Sequence, residues 1–82
     1  MNFTLYVLES IYYNHYYIGQ IKNIKYRLKL HNLGKVKSTK RFKPWKLVYK
    51  EEFNSREIVV KREKYLKSHS GRKWLKRQFM GP

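Results

Sequence analysis

The side chains of this sequence whose types and spacing could do chemistry are an acid, Glu63, and an arginine–histidine pair, Arg27 and His31. Val59, Glu63 and Leu66 recur at i, i+4 and i+7, so on a helix the carboxylate falls on the apolar stripe and points toward the core side. An ionised carboxylate is costly there unless a cation pairs with it. That cation can be one of the many Lys or Arg side chains or a divalent metal; spacing alone leaves both open, with the salt bridge the commoner outcome. Arg27 and His31, at i and i+4, converge on one helical patch. A guanidinium grips phosphate oxygens bidentately and an imidazole relays a proton near neutral pH, so the pair suits a phosphate ester. Both are also ordinary residues on a basic surface. Tyr6 and Tyr17, judged on composition alone, read as core aromatics.

Composition narrows the partner. Twenty Lys and Arg stand against five acids, all Glu, for a net charge of +15 over 82 residues. A field of that sign attracts polyanions, with nucleic acid the first candidate, an anionic membrane the second and a ribosome-like structural role the third. A hydrophobic fraction of 41% with 17% aromatic residues argues against a disordered basic tail. The length allows one domain, residues 1–82, with room for a cleft but no deep cavity, so no small-molecule substrate is expected. The absence of Cys excludes disulfides and thiolate zinc sites. His15, His31 and His69 lack metal-ligand spacing, which leaves Glu as the holder of any hard ion. No apolar run approaches a membrane span, and the first residues lack a basic start before their apolar run. The chain reads as soluble and cytoplasmic, with no membrane partner.

The elements that must position these residues follow a β-β-α-β-α-α order. Strands are expected near 3–9 and 15–19, both rich in β-branched and aromatic residues, with Asn14 in the connection. Residues 24–32 alternate in a way that fits strand or helix; Asn23 as N-cap and Asn32 with Gly34 as a stop favour a helix, with Ile24, Leu28 and His31 on one face. Gly34 to Lys46 reads as a loop. A third strand near 46–53 alternates Leu47, Tyr49 and Phe53 against Lys46, Val48 and Lys50. Asn54 with Glu57 resembles a capping box opening a helix to about Lys67, and Ser70 can cap a last short helix carrying Trp74, Leu75 and Phe79. The expected fold is α/β in the α+β sense: a small three-stranded antiparallel sheet flanked by three helices.

The same positions make the chain resemble the GIY-YIG nuclease superfamily. The second strand motif of that family stands unchanged in Tyr17-Ile18-Gly19, and Thr4-Leu5-Tyr6 matches the first with its tyrosine kept and its glycine replaced by Thr4. The family's helical arginine matches Arg27, often followed by a histidine at the position of His31, and its metal-binding glutamate matches Glu63 in Arg62-Glu63-Lys64. Together with His31-Asn32, Gly34 and Pro44-Trp45-Lys46-Leu47-Val48-Tyr49, these elements span residues 3–76 and are most similar to small stand-alone members akin to the excision-repair nuclease domain. The resemblance implies a metal-dependent DNA endonuclease in which Glu63 holds Mg²⁺ or Mn²⁺, Arg27 binds phosphate, Tyr6 aided by Tyr17 orients or deprotonates water, and His31 assists. It implies that Tyr6, Tyr17, Arg27 and Glu63 line one cleft with His31 at its edge, Gly19 shaping the motif backbone. Charge adds an independent expectation: Lys35, Lys37, Lys40, Arg41, Lys43 and Arg62 track the DNA backbone without reading bases. The rival reading is a nucleic-acid-binding module of the same fold that does not cut.

Overall fold

The computed structural model describes residues 2–79; the two ends of the expected domain, Met1 and residues 80–82, lie outside the described residues. Strands β1 (Phe3–Ser10), β2 (Tyr16–Ile21) and β3 (Trp45–Phe53) form one antiparallel sheet in the order β2-β1-β3. Helix α1 (Ile24–Asn32) follows β2, and α2 (Arg56–Lys67) and α3 (His69–Phe79) follow β3. The expected element order and sheet are therefore present.

β1 is the central strand and carries two cores at once. Successive side chains alternate between faces, so Tyr6 and Leu8 join Trp45, Ile24 and Leu28 under α1, while Leu5 and Val7 join Ile18, Val59, Leu66 and Leu75 under α2 and α3. That explains why the run from Leu5 to Leu8 has no polar alternation and is buried throughout. β2 extends past the expected residue 19 because Thr4 and Leu5 still offer partners to Ile21 and Gln20.

The alternation expected for β3 fails at one point. Tyr49 opposes Val7 and Leu47 opposes Leu8, which leaves Val48 as an extra residue, a β-bulge. Across the bulge the faces exchange: Trp45 packs under α1, whereas Tyr49 and Phe53 pack under α2 and α3. Leu47 and Tyr49 thus do not share a face, and Leu47 is exposed.

Helix ends depart from expectation where two cap-forming residues adjoin. Asn23 caps α1 as expected, its side chain accepting from the Tyr26 amide at 3.1 Å. Gly34, at φ 74°, closes that helix in a Schellman turn: its amide donates to the His31 carbonyl and the Lys35 amide to that of Leu30. α2 starts on Ser55 rather than Asn54. Ser68 rather than Ser70 caps α3, its hydroxyl accepting from the Gly71 amide at 3.2 Å, and α3 is longer than the short helix expected.

The stretch read as a loop is held firmly. It contains a 3₁₀ turn at Lys40–Phe42 and a cis Lys43–Pro44 peptide bond. Asn32 clamps its far end: the Asn32 side chain donates to the Trp45 carbonyl at 3.0 Å and accepts from the Trp45 amide. The Trp45 indole in turn donates to the Thr39 carbonyl at 2.9 Å, fixing Thr39 beneath α1.

Candidate active site

The α1 face of the sheet gathers four of the expected side chains around one hydroxyl. The Tyr6 hydroxyl lies 3.1 Å from His31 Nε2, and the Tyr6 and Tyr17 rings are 6.1 Å apart, with Tyr17 5.0 Å from the His31 ring. Arg27, one turn before His31, stands close enough for its charge to act on both Tyr6 and His31. Tyr6 and His31 are fully buried, whereas Tyr17 and Arg27 are half-buried. His31 therefore stands at the centre of the cluster, not at the edge of a cleft.

Gly19 makes this approach possible. It faces Tyr6 across the β1–β2 ladder, and a Cβ built there would stand 2.8 Å from the Tyr6 hydroxyl oxygen and 3.0 Å from Tyr17. Gly19→Ala is expected to push Tyr6 off His31 and to cost about 1–3 kcal/mol through overpacking. Denaturant unfolding checks it; unchanged stability would mean that the two rings yield without cost. Thr4, at the place of the motif's first glycine, takes ordinary strand pairing with Ile21 and Glu52, and no described non-glycine residue has positive φ.

Burial dominates the electrostatics of the cluster. Loss of solvent pushes Tyr6 up to about 12, the neighbouring Arg27 only partly offsetting it. Burial, helped by the Arg27 charge, holds His31 down to about 4, so its ring is neutral at pH 7. The other ring nitrogen, Nδ1, lies 2.7 Å from the Thr39 hydroxyl. A neutral imidazole between two hydroxyls can be satisfied in either tautomer, since each hydroxyl donates or accepts. The chain Tyr6–His31–Thr39 can thus reverse its direction without a heavy atom moving.

The shift of His31 has a consequence for stability. Between its ordinary 6.5 and about 4 the unfolded chain binds a proton that the folded chain refuses. Stability is full above pH 6.5 and falls as pH drops through about 4, by about 3 kcal/mol at the limit. The contribution of Glu51, whose carboxyl is held below its ordinary 4.5 by Arg62 and Tyr49 against burial, is lost at lower pH still. Urea midpoints between pH 7 and 4.5 should fall steadily, and His31→Gln should flatten that fall. An equally steep fall in the variant would exclude His31 as its source.

Glu63 stands apart from the cluster. It lies on α2, which packs on the opposite face of the sheet from α1, and it is half-buried. Its carboxylate accepts from the Lys67 ammonium at 2.7 Å, one turn along the helix. Among the described residues no hydrogen bond or ion pair joins Glu63 to Tyr6, Tyr17 or Arg27. Lys67, however, lines a cleft of about 390 Å³ together with Tyr17, Ile18, Arg72 and Lys76. Arg27 opens onto a second cleft at the other end of β2, beside Gln20, Ile21 and Arg56. Of the four side chains expected along one cleft, Tyr17 and Arg27 thus open onto different clefts along one edge strand, Tyr6 is buried, and Glu63 lines neither cleft.

The donor set around Glu63 suits a hard cation. It offers a single carboxylate, and no group of three His, Asp or Glu side chains gathers anywhere among the described residues. Mg²⁺ is commonly held by one or two carboxylates, with water and substrate phosphate completing its shell. Lys67, half-exposed on a flexible stem, already places one positive charge on this carboxylate and can swing away from it.

The remaining expected side chains fall in two groups. Lys35, Lys37, Lys40, Arg41 and Lys43 are exposed on the segment between α1 and β3. Arg62 is engaged otherwise: it donates to both oxygens of Glu51 at 2.8 and 2.9 Å and stacks over Trp74 at 4.7 Å, locking α2 to β3 and α3. Thr39 was not foreseen, since a threonine in a lysine-rich loop carries no periodic signal. Lys67 was legible as an i+4 partner of Glu63.

A small antiparallel sheet whose first two strands juxtapose two tyrosines and a glycine, backed by a helical Arg and His, defines a compact catalytic-domain architecture. The family model described as the GIY-YIG catalytic domain matches residues 2–77, and the chain belongs to the GIY-YIG family, whose members are usually nucleases that use divalent metal ions. The chain is 39% identical over 64 residues to the UPF0213 protein SH2523 of Staphylococcus haemolyticus, covering 77% of this chain and 78% of that one. It is similar to the solution NMR structure of the UPF0213 protein BH0048 from Bacillus halodurans, with a TM-score of 0.60 and 30% identity over 100% of this chain and 89% of that one. No helix among the described residues is long and apolar enough to cross a membrane.

Proposed function

We propose that the chain is a DNA endonuclease that hydrolyses phosphodiester bonds with one Glu63-bound divalent ion. The observation that carries this reading is the gathering of Tyr6, Tyr17, Arg27 and His31 around one buried hydroxyl in a member of a family of nucleases. Arg27 binds a non-bridging phosphate oxygen and offsets the charge that builds in the transition state. Tyr17, the more exposed tyrosine, orients the attacking water. Tyr6 takes the water proton as its own hydroxyl proton passes to His31 Nε2, whose Nδ1–H donates to Thr39. His31 is a poor base in the resting protein; a phosphate against Arg27 neutralises one of the two causes of that weakness. A Mg²⁺ or Mn²⁺ ion on Glu63 would stabilise negative charge on the phosphate and the leaving oxygen.

A second reading, a binding module that does not cut, draws support from the Lys67 ammonium on Glu63. Supercoiled and branched DNAs incubated with Mg²⁺, with Mn²⁺ and with a chelator separate the two. Metal-dependent strand breaks support the nuclease; binding without breaks under every condition supports the module.

Docking on DNA should be electrostatic and insensitive to sequence. Half a dozen phosphate contacts give a slope of log K against log salt of about −5 on duplex. Reversing the charge of Lys40 and Arg41 together should weaken all sequences alike and flatten the slope by about 2. A flat salt dependence, or affinity confined to one sequence, would remove this segment as the docking surface.

A further inference from the structure

The turn joining β1 to β2 exposes three large side chains in succession, Ile11 at 52%, Tyr12 at 78% and Tyr13 at 52%. Single exposed apolar residues need no explanation, but three together at the end of a hairpin form a surface. The turn is anchored from below. The Ser10 hydroxyl donates to the Phe42 carbonyl at 2.6 Å and accepts from the Tyr13 amide at 3.1 Å, and the Ile11 amide donates to the Pro44 carbonyl at 3.0 Å. Phe42 completes the base: Tyr13 meets it edge-on at 5.5 Å, His15 lies over it at 3.8 Å, and the Arg41 guanidinium stands 5.7 Å from its centre. The backbone of the tip and the Tyr13 ring are thus held in place, so a flat ligand can settle there without first freezing a loop.

Charge identifies the ligand. His15 on the flank of the tip also lines the cleft that holds Lys67, Arg72, Lys76 and Tyr17. Glu9, the acid nearest the turn in sequence, is already occupied by Lys46 at 3.3 Å and by the Tyr16 hydroxyl at 3.0 Å. An exposed aromatic surface running into a cationic cleft is complementary to a chain of phosphates carrying unstacked bases, because bases stack on aromatic rings while phosphates meet cations. In continuous duplex the bases are already stacked and paired, and the tip has nothing to offer them.

We propose that the Ile11–Tyr13 tip is a stacking platform for unpaired bases, with Tyr12 and Tyr13 as its rings. DNA with a single-stranded arm is then the preferred ligand of the cleft that leads to Tyr17. This rests on the nucleic-acid reading above, but the binding it describes does not require cutting.

The test is fluorescence anisotropy of the intact chain in chelator, at one salt concentration, with a plain duplex and with the same duplex bearing a single-stranded arm. A 2-aminopurine at the first unpaired position reports stacking directly. The forked DNA should bind roughly ten-fold more tightly, and the 2-aminopurine emission should be quenched. Tyr12→Ala combined with Tyr13→Ala should bring the fork down to the affinity of the duplex, leave duplex binding unchanged and abolish quenching, whereas Tyr12→Phe should keep all three. Equal affinity for fork and duplex in the unaltered chain, or an equal loss on both in the double variant, would overturn the platform while leaving nucleic-acid binding intact. Tip-dependent binding to phosphatidylcholine–phosphatidylserine vesicles with no preference for the fork would overturn it in favour of a membrane contact. Failure to bind any DNA would overturn the platform together with the reading beneath it.

Discussion

Glu63→Gln is expected to lower Mg²⁺-dependent strand cleavage by about 10³-fold or more, equivalent to about 4 kcal/mol of lost transition-state stabilisation. The substitution keeps the shape of the side chain and removes its charge, so the Lys67 contact survives only as a neutral–ionic hydrogen bond. That contact is a partly exposed i,i+4 pair, and such pairs contribute little to stability. The unfolding midpoint should therefore barely move, and DNA affinity in chelator should hold or rise slightly as Lys67, which lines the cationic cleft, loses its counter-charge. Single-turnover cleavage beside anisotropy separates the effects. Retention of full metal-dependent cleavage by the variant would remove Glu63 as the metal ligand and, with it, the single-carboxylate mechanism.

Arg27→Ala should reduce cleavage by about 10²- to 10³-fold, the usual loss when one donor to a developing anion is removed. It should also leave a signature that needs no substrate. Arg27 is the second cause, after burial, of the low value of His31, and it lowers Tyr6 against the upward push of burial. Without the guanidinium, His31 should titrate at higher pH and Tyr6 should become still harder to ionise. An NMR titration of the His31 ring reads the first change directly. Arg27→Lys keeps a charge but not the planar pair of donors, so it should restore much of the His31 value and little of the cleavage. If both the alanine and the lysine variant cleave like the unaltered chain while the His31 titration differs between them, Arg27 takes no part in the reaction and is a structural neighbour only.

Much of this molecule could be read from the sequence because its signals are local. Asn23 and Gly34 sit where helix ends require a cap and a left-handed residue, so α1 was placed well even though its apolar pattern fitted a strand equally. The i, i+4 spacing of Arg27 and His31 was enough to put them on one patch. What escaped depends on pairing across the fold. The bulge at Val48 exists only against Val7 and Leu8, and a residue inserted in a ladder leaves no mark on the strand that carries it. Thr39 reaches His31 because Asn32 and Trp45 hold the segment on both sides, a closure that no window of neighbouring residues contains. Arg62 is the reverse case: a guanidinium beside Glu63 in a basic protein looks available, and only the position of Glu51 on β3 shows that it is taken. The placing of α2 on the face opposite α1 likewise separates Glu63 from the tyrosines in a way that helix phase could not reveal.

The strand order β2-β1-β3 also governs how the chain acquires its structure. β1, the most apolar segment, comes early in sequence and occupies the middle of the sheet, yet one of its two neighbours is β3 and the layer beneath it comes from α2 and α3. A β1–β2 hairpin alone exposes an unpaired edge and an uncovered apolar face until the second half of the chain docks. Two-stranded ribbons of this kind are marginal alone, and an uncovered edge invites pairing with other chains. Acquisition of the fold should therefore be late and cooperative, closed by the docking of β3 rather than by growth from the first hairpin. The exposed lysines between α1 and β3 give every copy of the chain the same sign of charge next to β3 in sequence, and like charge near an edge disfavours strand addition between chains.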